Sequence, residues 1–547
     1  MRILAFNVAH DASVCSIKDG EIEFFCKEER LSRKKRDKHP FKALDKFAEL
    51  NFGKVDHALY VTPSNNEPDV EIVFGAYIQK KFNVKLENYS SLKHHDCHAS
   101  LAFYNSGFEK SLVFVIDRNG SMFFSNGNLI GRESESVYIA STQHDLIPIR
   151  KNFWLSSGYE NSKNEVEKIL RSHYHNVDIS APGPLGIVKV YEAATTLIRQ
   201  NPLENGKTMG LSSYGENLDY DQLFWNNIGL NEKFIHIPGG DNVTCFYNCE
   251  VPIVKEVTES NYQPYANRAK QVQLQTQQVA LNLISEYVKQ TNIKNVCIVG
   301  GYGLNVVANN FYLKKLPDVN FYFEPVADDT GVSIGAAMLK YKELTYKNPK
   351  SVSNNFYHFY EDEPVVGKKC NIDDVCNLLI NQKSVAIFEG NPEAGPRALG
   401  HRSILFDARN PNAKKLVNEI KKREWYRPFA GVILEEYFNE YFETLGLKTS
   451  SYMTINFDCK EQTKNFVPGI IHVDNTCRIQ TVSNGFLYEL LNKFYEKTNC
   501  PMLLNTSFNL AGEALVQTKK DAIHTYESSA LDAICFVEKN EIFILQK

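Results

Sequence analysis

No run of about 18 consecutive apolar residues occurs in the sequence, which argues against a membrane-spanning helix. The formal net charge is only −4 over 547 residues, so no global excess of either sign marks a chain built to coat a polyanion. Low-complexity tracts and short-period repeats are missing too. The 12 cysteines are scattered singly; the only close pair, Cys245 and Cys249, forms a lone CxxxC with no second half for a zinc site. Reduced, buried thiols in a cytoplasmic protein are therefore the expectation. The opening MRILAFNVAH is too short and too polar to read as a secretory signal. Lys207, in NGKTMGLSSYG, lacks the upstream glycine and strand-loop context of a P-loop.

What is present is an ordered alternation of strands, turns and helices. ILAFNVAH reads as a strand ending in a polar turn; ASVCSIK and EIEFFCKEE follow, joined by a hairpin turn at Asp19-Gly20. The pattern returns in SLVFVID, the turn at Arg118–Gly120, SMFFS, the turn Asn126-Gly127, and NLIGRE. Two such hairpin sets predict a duplicated α/β domain whose turns approach a nucleotide. Apolar positions at helical spacing predict a buried helix over Gln271 to Lys289. NVCIVGGYGLNVVANN then reads as strand, glycine turn and helix start, placing Gly300, Gly301 and Asn305 where backbone N–H groups and the helix dipole suit an anion. GVSIGAAMLKYK predicts a small-residue helix that packs closely. The composition turns polar and irregular from about Lys347 to Lys369. This places one domain over 1–350, a linker over 351–369, and a second α/β domain over 370–547, opening with a helix (Asp373 to Gln382) and the strand SVAIFEG.

Several side chains carry chemistry. His94 and His98, four apart in KHHDCHASLAFY, fall on one helical face as a metal site requires, although such a pair alone is more often two ordinary histidines. Asp329, in PVADDTGVSIGAA, precedes a helix start, where capping is the ordinary role. His10 beside Asp11 sits in the first polar turn, and an imidazole there can serve as a general base on an alcohol. Bases crowd together from Lys27 to His39. The second domain gathers Arg397 and Arg402 around GPRALGHRS, then Lys422, Arg423 and Arg427 in KKREWYRPFA. Arg478 follows in DNTCRIQ, and Ser507 and Asn509 in LLNTSFN. Each arginine alone suggests a surface ion pair; together they suggest a phosphate site.

The strings NVAHDASVCSIKDG, EERLSRKK, HHDCHASLAFY, GKTMGLSSYG, GGYGLNVVANN, PVADDTGVSIGAA, GPRALGHRSIL, KKREWYRPFA, DNTCRIQTV and LLNTSFN span nearly the whole chain. In this order they resemble the nodulation- and antibiotic-type O-carbamoyltransferases. The resemblance implies a duplicated actin/sugar-kinase-like N-terminal domain and a C-terminal YrdC-like α/β domain with a twisted sheet. It implies that ATP and carbamoyl phosphate form carbamoyl-adenylate, from which carbamoyl passes to an acceptor hydroxyl as AMP leaves. By the same resemblance a divalent metal, usually iron, falls to His94, His98 and Asp329, with His95 as the alternative first ligand. The essential base-like histidine is His10, and the lysine of the ERxxRxK stretch is Lys35, flanked by the extra bases Lys34, Arg36 and Lys38. Carbamoyl phosphate and magnesium-bound ATP fall to Arg397, Lys422, Arg427, Arg478, Ser507 and Asn509. Gly300, Gly301, Asn305 and Lys207 are further nucleotide contacts. The family's DGxG-type turn is altered here to Asp117-Arg118-Asn119-Gly120.

Three other readings compete: a small-molecule kinase of the same fold, a carbamoyltransferase acting on a hydroxymethylated base in DNA or on tRNA adenosine, and a non-catalytic nucleotide binder. The expected partners are ATP, carbamoyl phosphate and a hydroxyl-bearing acceptor, a small molecule or a modified nucleobase, with a homodimer as a candidate assembly and no membrane. Residues 130–190 are the candidate acceptor region, because they depart most from the family strings.

Overall fold

The structure is a computed structural model that describes residues 1–63, 68–90, 92–156, 159–180, 186–198, 200–220, 223–225, 229–230, 234–236, 244–246, 256–351, 359, 363–539 and 541–547. It is a mixed α/β chain in two compact units. The first comprises Met1–Glu28 and Arg36–Asn355, the second Glu29–Lys35 and Phe356–Lys547. Among the described residues no helix is long and apolar enough to cross a membrane. Ten described cysteines are free, nine of them buried; Cys249, of the CxxxC pair, lies outside the described residues, as does the side chain of Cys245.

The first unit opens with β1 (Arg2–Asn7), β2 (Ser13–Lys18), β3 (Glu21–Lys27), β4 (His57–Val61) and β5 (Leu86–Asn88), in sheet order β3-β2-β1-β4-β5. β1 runs antiparallel to β2 and parallel to β4. Next come β6 (Lys110–Ile116), β7 (Met122–Ser125), β8 (Asn128–Ser141), β9 (Ile147–Leu155) and β10 (Asp178–Ser180). Four short strands, β11 (Phe224–Trp225), β12 (Gly229–Leu230), β13 (Phe234–His236) and β14 (Thr244–Phe246), pair two by two, and β15 (Asn295–Val299) and β16 (Asn320–Phe323) complete the second sheet. Its order is β10-β9-β8-β6-β15-β16. With β6 antiparallel to β8 and parallel to β15, the run β9-β8-β6-β15-β16 repeats the first sheet. The domain is thus duplicated.

Both predicted hairpin turns form where Asp19-Gly20 and Asn126-Gly127 take left-handed backbone conformations. The second hairpin has a different place from the one expected. β6 and β7 lie end to end along the same edge of β8, interrupted at the turn after Ile116. That interruption leaves Asp117 at the end of β6, equivalent to the turn carrying His10 after β1. The buried helix extends over Gln263–Thr291, longer than the apolar pattern indicates, because Gln271, Gln273 and Gln277 are buried in it with polar partners. The small-residue helix is Val332–Thr345. A Cβ on its Gly335 would stand 1.9 Å from the Cys97 carbonyl oxygen, so only glycine permits this approach to the helix His94–Ser106.

The second unit is built on one nine-stranded sheet: β17 (Lys368–Cys370), β18 (Val385–Glu389), β19 (Arg402–Phe406), β20 (Ala430–Leu434), β21 (Asn456–Asp458), β22 (Thr476–Val482), β23 (Met502–Ser507), β24 (Ala533–Glu538) and β25 (Glu541–Gln546). The order is β17-β25-β24-β18-β19-β23-β20-β22-β21. The predicted first helix spans Ile372–Ile380, started by a capping box of Asn371 and Asp374. The chain divides differently from the expected 1–350 and 370–547. Lys368 and Lys369 of the expected linker pair with β25, and the Lys519 backbone N–H donates to Glu363. The segment Glu29–Lys35, expected in the first domain, belongs to the second unit. Arg30 there donates to the Glu393 carbonyl (3.1 Å), and Arg33 donates to the carbonyls of Leu515 (2.7 Å) and Ala514 (2.9 Å).

Candidate functional site

In the first unit His94 opens the helix His94–Ser106, and His98 follows one turn on. Asp117 directly follows β6, and Asp329 starts the turn leading into the helix Val332–Thr345. One ligand atom from each of these four buried residues lies within 4.8 Å of the other three. His94 Nε2 stands 3.5 Å from Asp329 Oδ1 and 3.7 Å from Asp117 Oδ2, and His98 Nε2 stands 3.6 Å from Asp329 Oδ1. These are ion-pair distances, longer than hydrogen bonds, and all four ring nitrogens are buried without a hydrogen-bond partner.

That combination fits a cation. Atoms about 2.0–2.2 Å from a shared metal lie no more than about 4.4 Å apart, so a small inward movement completes a site. Two imidazoles and two carboxylates suit a first-row divalent metal. Burial alone would lower the His94 pKa, yet Asp329 and Asp117 outweigh it and raise it to about 10. Burial likewise favours neutral Asp329, but His10 and His94 hold it well below the ordinary carboxylate range. A bound cation would reverse the His94 shift by favouring the neutral ring.

The supports of this centre are specific. Asp117 Oδ1 accepts from the Gly301 N–H at 3.0 Å, so the glycine turn holds the carboxylate. Gly300 has φ +87°, and a Cβ there would come within 2.5 Å of the Ile116 carbonyl oxygen. The Asp329 carbonyl accepts from Asn7 Nδ2 at 3.1 Å, while the neighbouring Asp328 supplies the cap, its Oδ1 accepting from Thr330 N–H at 3.2 Å. His95 points elsewhere: its Nδ1 meets Ser136 Oγ at 2.7 Å, and burial lowers its pKa to about 3.

His10 faces the centre. Its Nε2 is 3.7 Å from Asp329 Oδ2, and its Nδ1 is 3.2 Å from Asp11 Oδ2. Lys27 fixes Asp11 at 2.8 Å. Burial would lower the His10 pKa, but Asp329 and Asp11 raise it to about 9. Gly300 and Gly301 thus border the centre. Asn305 is spent on structure: its Oδ1 caps the helix Val306–Lys315 at Ala308 N–H (3.1 Å), and its Nδ2 donates to Gln273 (3.1 Å). Lys207 pairs with Glu204 (2.8 Å) and donates to Gln200 (2.7 Å).

In the second unit the lysine that meets Ser507 and Asn509 is Lys421 rather than Lys422. Lys421 ends the helix Ala413–Lys421; Lys422, with φ +51°, turns away and donates to the Ser528 carbonyl at 3.0 Å. The buried Lys421 ammonium donates to Ser507 Oγ at 3.0 Å, to Asn509 Oδ1 at 2.9 Å and to the Ser507 carbonyl. Burial, then Arg423, Arg427 and Lys35, push its pKa well down. Burial with Arg427 also lowers Arg478 to about 10. Mutually repelling cations around a buried lysine are stabilised by an anion.

Arg478 and Gln480 share one face of β22, as Ser507 and Asn505 share one face of β23. Gln480 donates to the Leu399 carbonyl (2.8 Å) and Asn505 to Gln480 (2.9 Å), which ties the loop carrying the half-buried Arg397 to that face. Lys35 is exposed in the same unit. Arg402 is structural, donating to the carbonyls of Glu389 and Gly390, each at 2.8 Å. Arg423 donates to Asn418 Oδ1 (2.6 Å) and stacks on Phe429.

Residues 58–338 match the family description "Carbamoyltransferase N-terminus", and residues 376–541 match "Carbamoyltransferase C-terminus". The chain belongs to the carbamoyltransferase family. Its relatives include nodulation protein NolNO of Sinorhizobium fredii, 26% identical over 96% of this chain and 78% of that one. An uncharacterized protein of Methanocaldococcus jannaschii is 29% identical over 97% of this chain and 98% of its own. Nodulation protein U of Rhizobium tropici is 32% identical over 40% of this chain and 39% of its own. Among solved structures, full-length HypF in its phosphate- and nucleotide-bound form matches with a TM-score of 0.37 at 15% identity, covering 63% of this chain and 56% of that one. Within the carbamoyltransferase chain, sequence reasoning missed Asp117 and Lys421. A lone aspartate ending a strand carries no spacing signal, whereas the Lys421 position, four residues after buried Val417, was open to helical phasing.

Proposed function

We propose that this carbamoyltransferase is ATP-dependent and acts on an acceptor hydroxyl through carbamoyl-adenylate. The observation that carries the reading is the Lys421 cluster: a buried ammonium, bonded to Ser507 and Asn509, among Arg423, Arg427 and Lys35. That charge suits two phosphate-bearing substrates brought together in the second unit. There water splits carbamoyl phosphate into carbamate and phosphate. A carbamate oxygen then attacks the α-phosphorus of ATP, forming carbamoyl-adenylate and releasing pyrophosphate. Lys421, Arg427, Arg478 and Arg397 would hold the anions and offset the charge on the leaving groups.

Transfer belongs to the first unit. The acceptor oxygen attacks the carbamoyl carbon as its proton passes to Nε2 of His10 in its neutral form; the bond from that carbon to the adenylate oxygen breaks, and AMP leaves. Asp11 orients the imidazole through Nδ1, and Lys27 fixes Asp11. A divalent metal held by His94, His98, Asp117 and Asp329 would supply Lewis-acid stabilisation of the developing charge. Of the basic run, Lys27, Arg30, Arg33 and Arg36 bond within the protein, which tells against a nucleic-acid acceptor tracked along its whole length.

The test needs no acceptor. Purified protein is incubated with ATP and carbamoyl phosphate, separately and together, and products are followed by mass spectrometry. Pyrophosphate and a carbamoyl-adenylate mass appearing only with both substrates is the expected result. ATP left untouched with a pool of candidate alcohols and supplied metal would contradict it.

A further inference from the structure

The loop that carries Arg397 is built around a side chain to which the adenylation chemistry gives no part. Residues 390–401 connect β18 to its antiparallel neighbour β19, and Glu393 lies inside that connection, fully buried. One oxygen of its carboxylate, Oε1, accepts three backbone N–H groups: Leu399 at 2.6 Å, His401 at 2.9 Å and Arg402 at 3.2 Å. Gly400, the residue between, donates its N–H to Ser403 Oγ at 2.9 Å. The backbone donors of residues 399–402 are therefore all met by side chains.

A carboxylate suits this task because its charge strengthens each N–H bond that it accepts. It is also a costly choice. The second oxygen, Oε2, is buried with no hydrogen-bond partner. A buried acidic group with one oxygen unbonded lowers stability, so the shape it imposes on the loop is held at a cost.

That shape bears on Arg397, which lies between Glu393 and Leu399 in the chain. Leu399 is gripped from both sides: its N–H by Glu393, its carbonyl by Gln480 Nε2 at 2.8 Å. Gln480 in turn accepts from Asn505 at 2.9 Å. Ala430 pairs with Arg478 on one side and with Asn505 on the other, so these two fall in one row across β22, β20 and β23. The clamp therefore fixes the chain just past Arg397 against the sheet face that carries Arg478 and Ser507. The stretch before Arg397 is held as well, with Arg30 donating to the carbonyls of Glu393 (3.1 Å) and Gly395 (3.4 Å). At the neck of the loop the His401 ring meets the Asn391 carbonyl at 2.8 Å. Gly400 has φ +114°, and a Cβ there would stand 2.8 Å from Leu487 Cδ2, so the turn under the clamp requires glycine.

We propose that Glu393 is a positioning residue for phosphate binding: its buried carboxylate gathers residues 399–402 and thereby sets the Arg397 guanidinium against the phosphate of carbamoyl phosphate. This rests on the reading of the second unit given above and adds to it a residue that touches no substrate. Arg397 meets the anion, and Glu393 acts through Arg397. A guanidinium on a loop already held in shape loses less freedom on binding than one on a loose loop, which is what the clamp contributes.

Inorganic phosphate is the probe, and its affinity for the full-length protein is read by calorimetry, so that no turnover is needed. Glu393→Met, close in size but without an acceptor, should weaken phosphate binding about tenfold or more. Glu393→Gln keeps an oxygen for the same N–H groups and should stay within about threefold of wild type. The discriminating readout is a cycle with Arg397→Met. If Glu393 acts through Arg397, adding Glu393→Met to Arg397→Met weakens binding by no more than about twofold further. A merely structural role would instead give losses that multiply, and that result overturns the proposal. Glu393→Met binding as tightly as wild type, Glu393→Gln binding as weakly as Glu393→Met, or wild-type protein binding no phosphate overturns it too. Circular dichroism and thermal unfolding check each variant. If Glu393→Met does not fold, Glu393→Asp, which withdraws the oxygen by one methylene, carries the same cycle with an expected loss of about threefold or more. Pyrophosphate release from ATP and carbamoyl phosphate is measured alongside. If it is absent while phosphate binding follows the cycle, the adenylate reading falls and the Glu393 assignment stands; if it is present while the losses multiply, only the Glu393 assignment falls.

Discussion

The Lys421 ammonium and the Asn509 side-chain oxygen are 2.9 Å apart, with Ser507 Oγ also within 3.0 Å of that nitrogen. This triad holds the buried Lys421 amine at the C-terminal end of β23, where it cannot relax into solvent. Lys421→Met should therefore lower carbamoyl-phosphate-dependent pyrophosphate release by about a hundredfold or more, the usual effect of removing one preorganised charge from a reacting phosphate. Lys422→Met removes only a bond to the Ser528 carbonyl and should change the same rate by no more than about twofold. Equal losses in the two variants would show that the cluster is not the anion site.

The four-residue centre and His10 should separate in their effects. Asp117→Asn exchanges a carboxylate ligand for a neutral amide and should lower bound metal by about tenfold or more, read by elemental analysis after dialysis against a weak chelator. His10→Ala should keep the metal and keep pyrophosphate release, but lose carbamoyl transfer to the acceptor by about a hundredfold or more. If His10→Ala transfers normally, the imidazole is not the base.

Much of this arrangement is legible in the sequence. Asp19-Gly20 and Asn126-Gly127 announce hairpins because few residues accept left-handed backbone, and both turns form there. The four-residue spacing of His94 and His98 needs only helical geometry. Asp329 was ambiguous because capping and metal ligation call for the same residue type; Asp328 caps and Asp329 faces the histidines. Other features depend on contacts distant in sequence. The end-to-end placement of β6 and β7, which presents Asp117, follows from the 14-residue length of β8. The membership of Glu29–Lys35 in the second unit follows from arginines reaching carbonyls several hundred residues away.

Close helix packing near the centre predicts a sharp size limit at Gly335. A methyl group there would collide with the Cys97 carbonyl oxygen at 1.9 Å, and Cys97 lies between His94 and His98 of the four-residue centre. Gly335→Ala should cost about 1–3 kcal/mol or more by overpacking and should also weaken metal retention. Thermal unfolding and metal content measured on the same preparation check both. Wild-type values for both would contradict the packing account.

Glu324 should make stability depend on pH. Burial raises its carboxyl from 4.5 to about 7, against hydrogen bonds from Val326 N–H, Asn105 and Tyr322. Between those values the folded protein holds a proton that the unfolded chain has released, so ionising Glu324 removes stability as pH rises through the window. The full effect is on the order of 3 kcal/mol. Glu324→Gln abolishes the ionisation, so its stability relative to wild type should rise from pH 4.5 to about 7.5 and then level off. Urea unfolding across that range tests it; a difference that does not vary with pH would contradict the assignment.

The central claim, activation of carbamoyl through an adenylate, is tested most directly by isotope exchange. Labelled pyrophosphate is supplied with ATP, with and without carbamoyl phosphate, and label entering ATP is counted. A reversible adenylation predicts exchange that requires carbamoyl phosphate and disappears in Lys421→Met. Exchange that proceeds without carbamoyl phosphate, or acceptor gaining phosphoryl rather than carbamoyl mass, would contradict it.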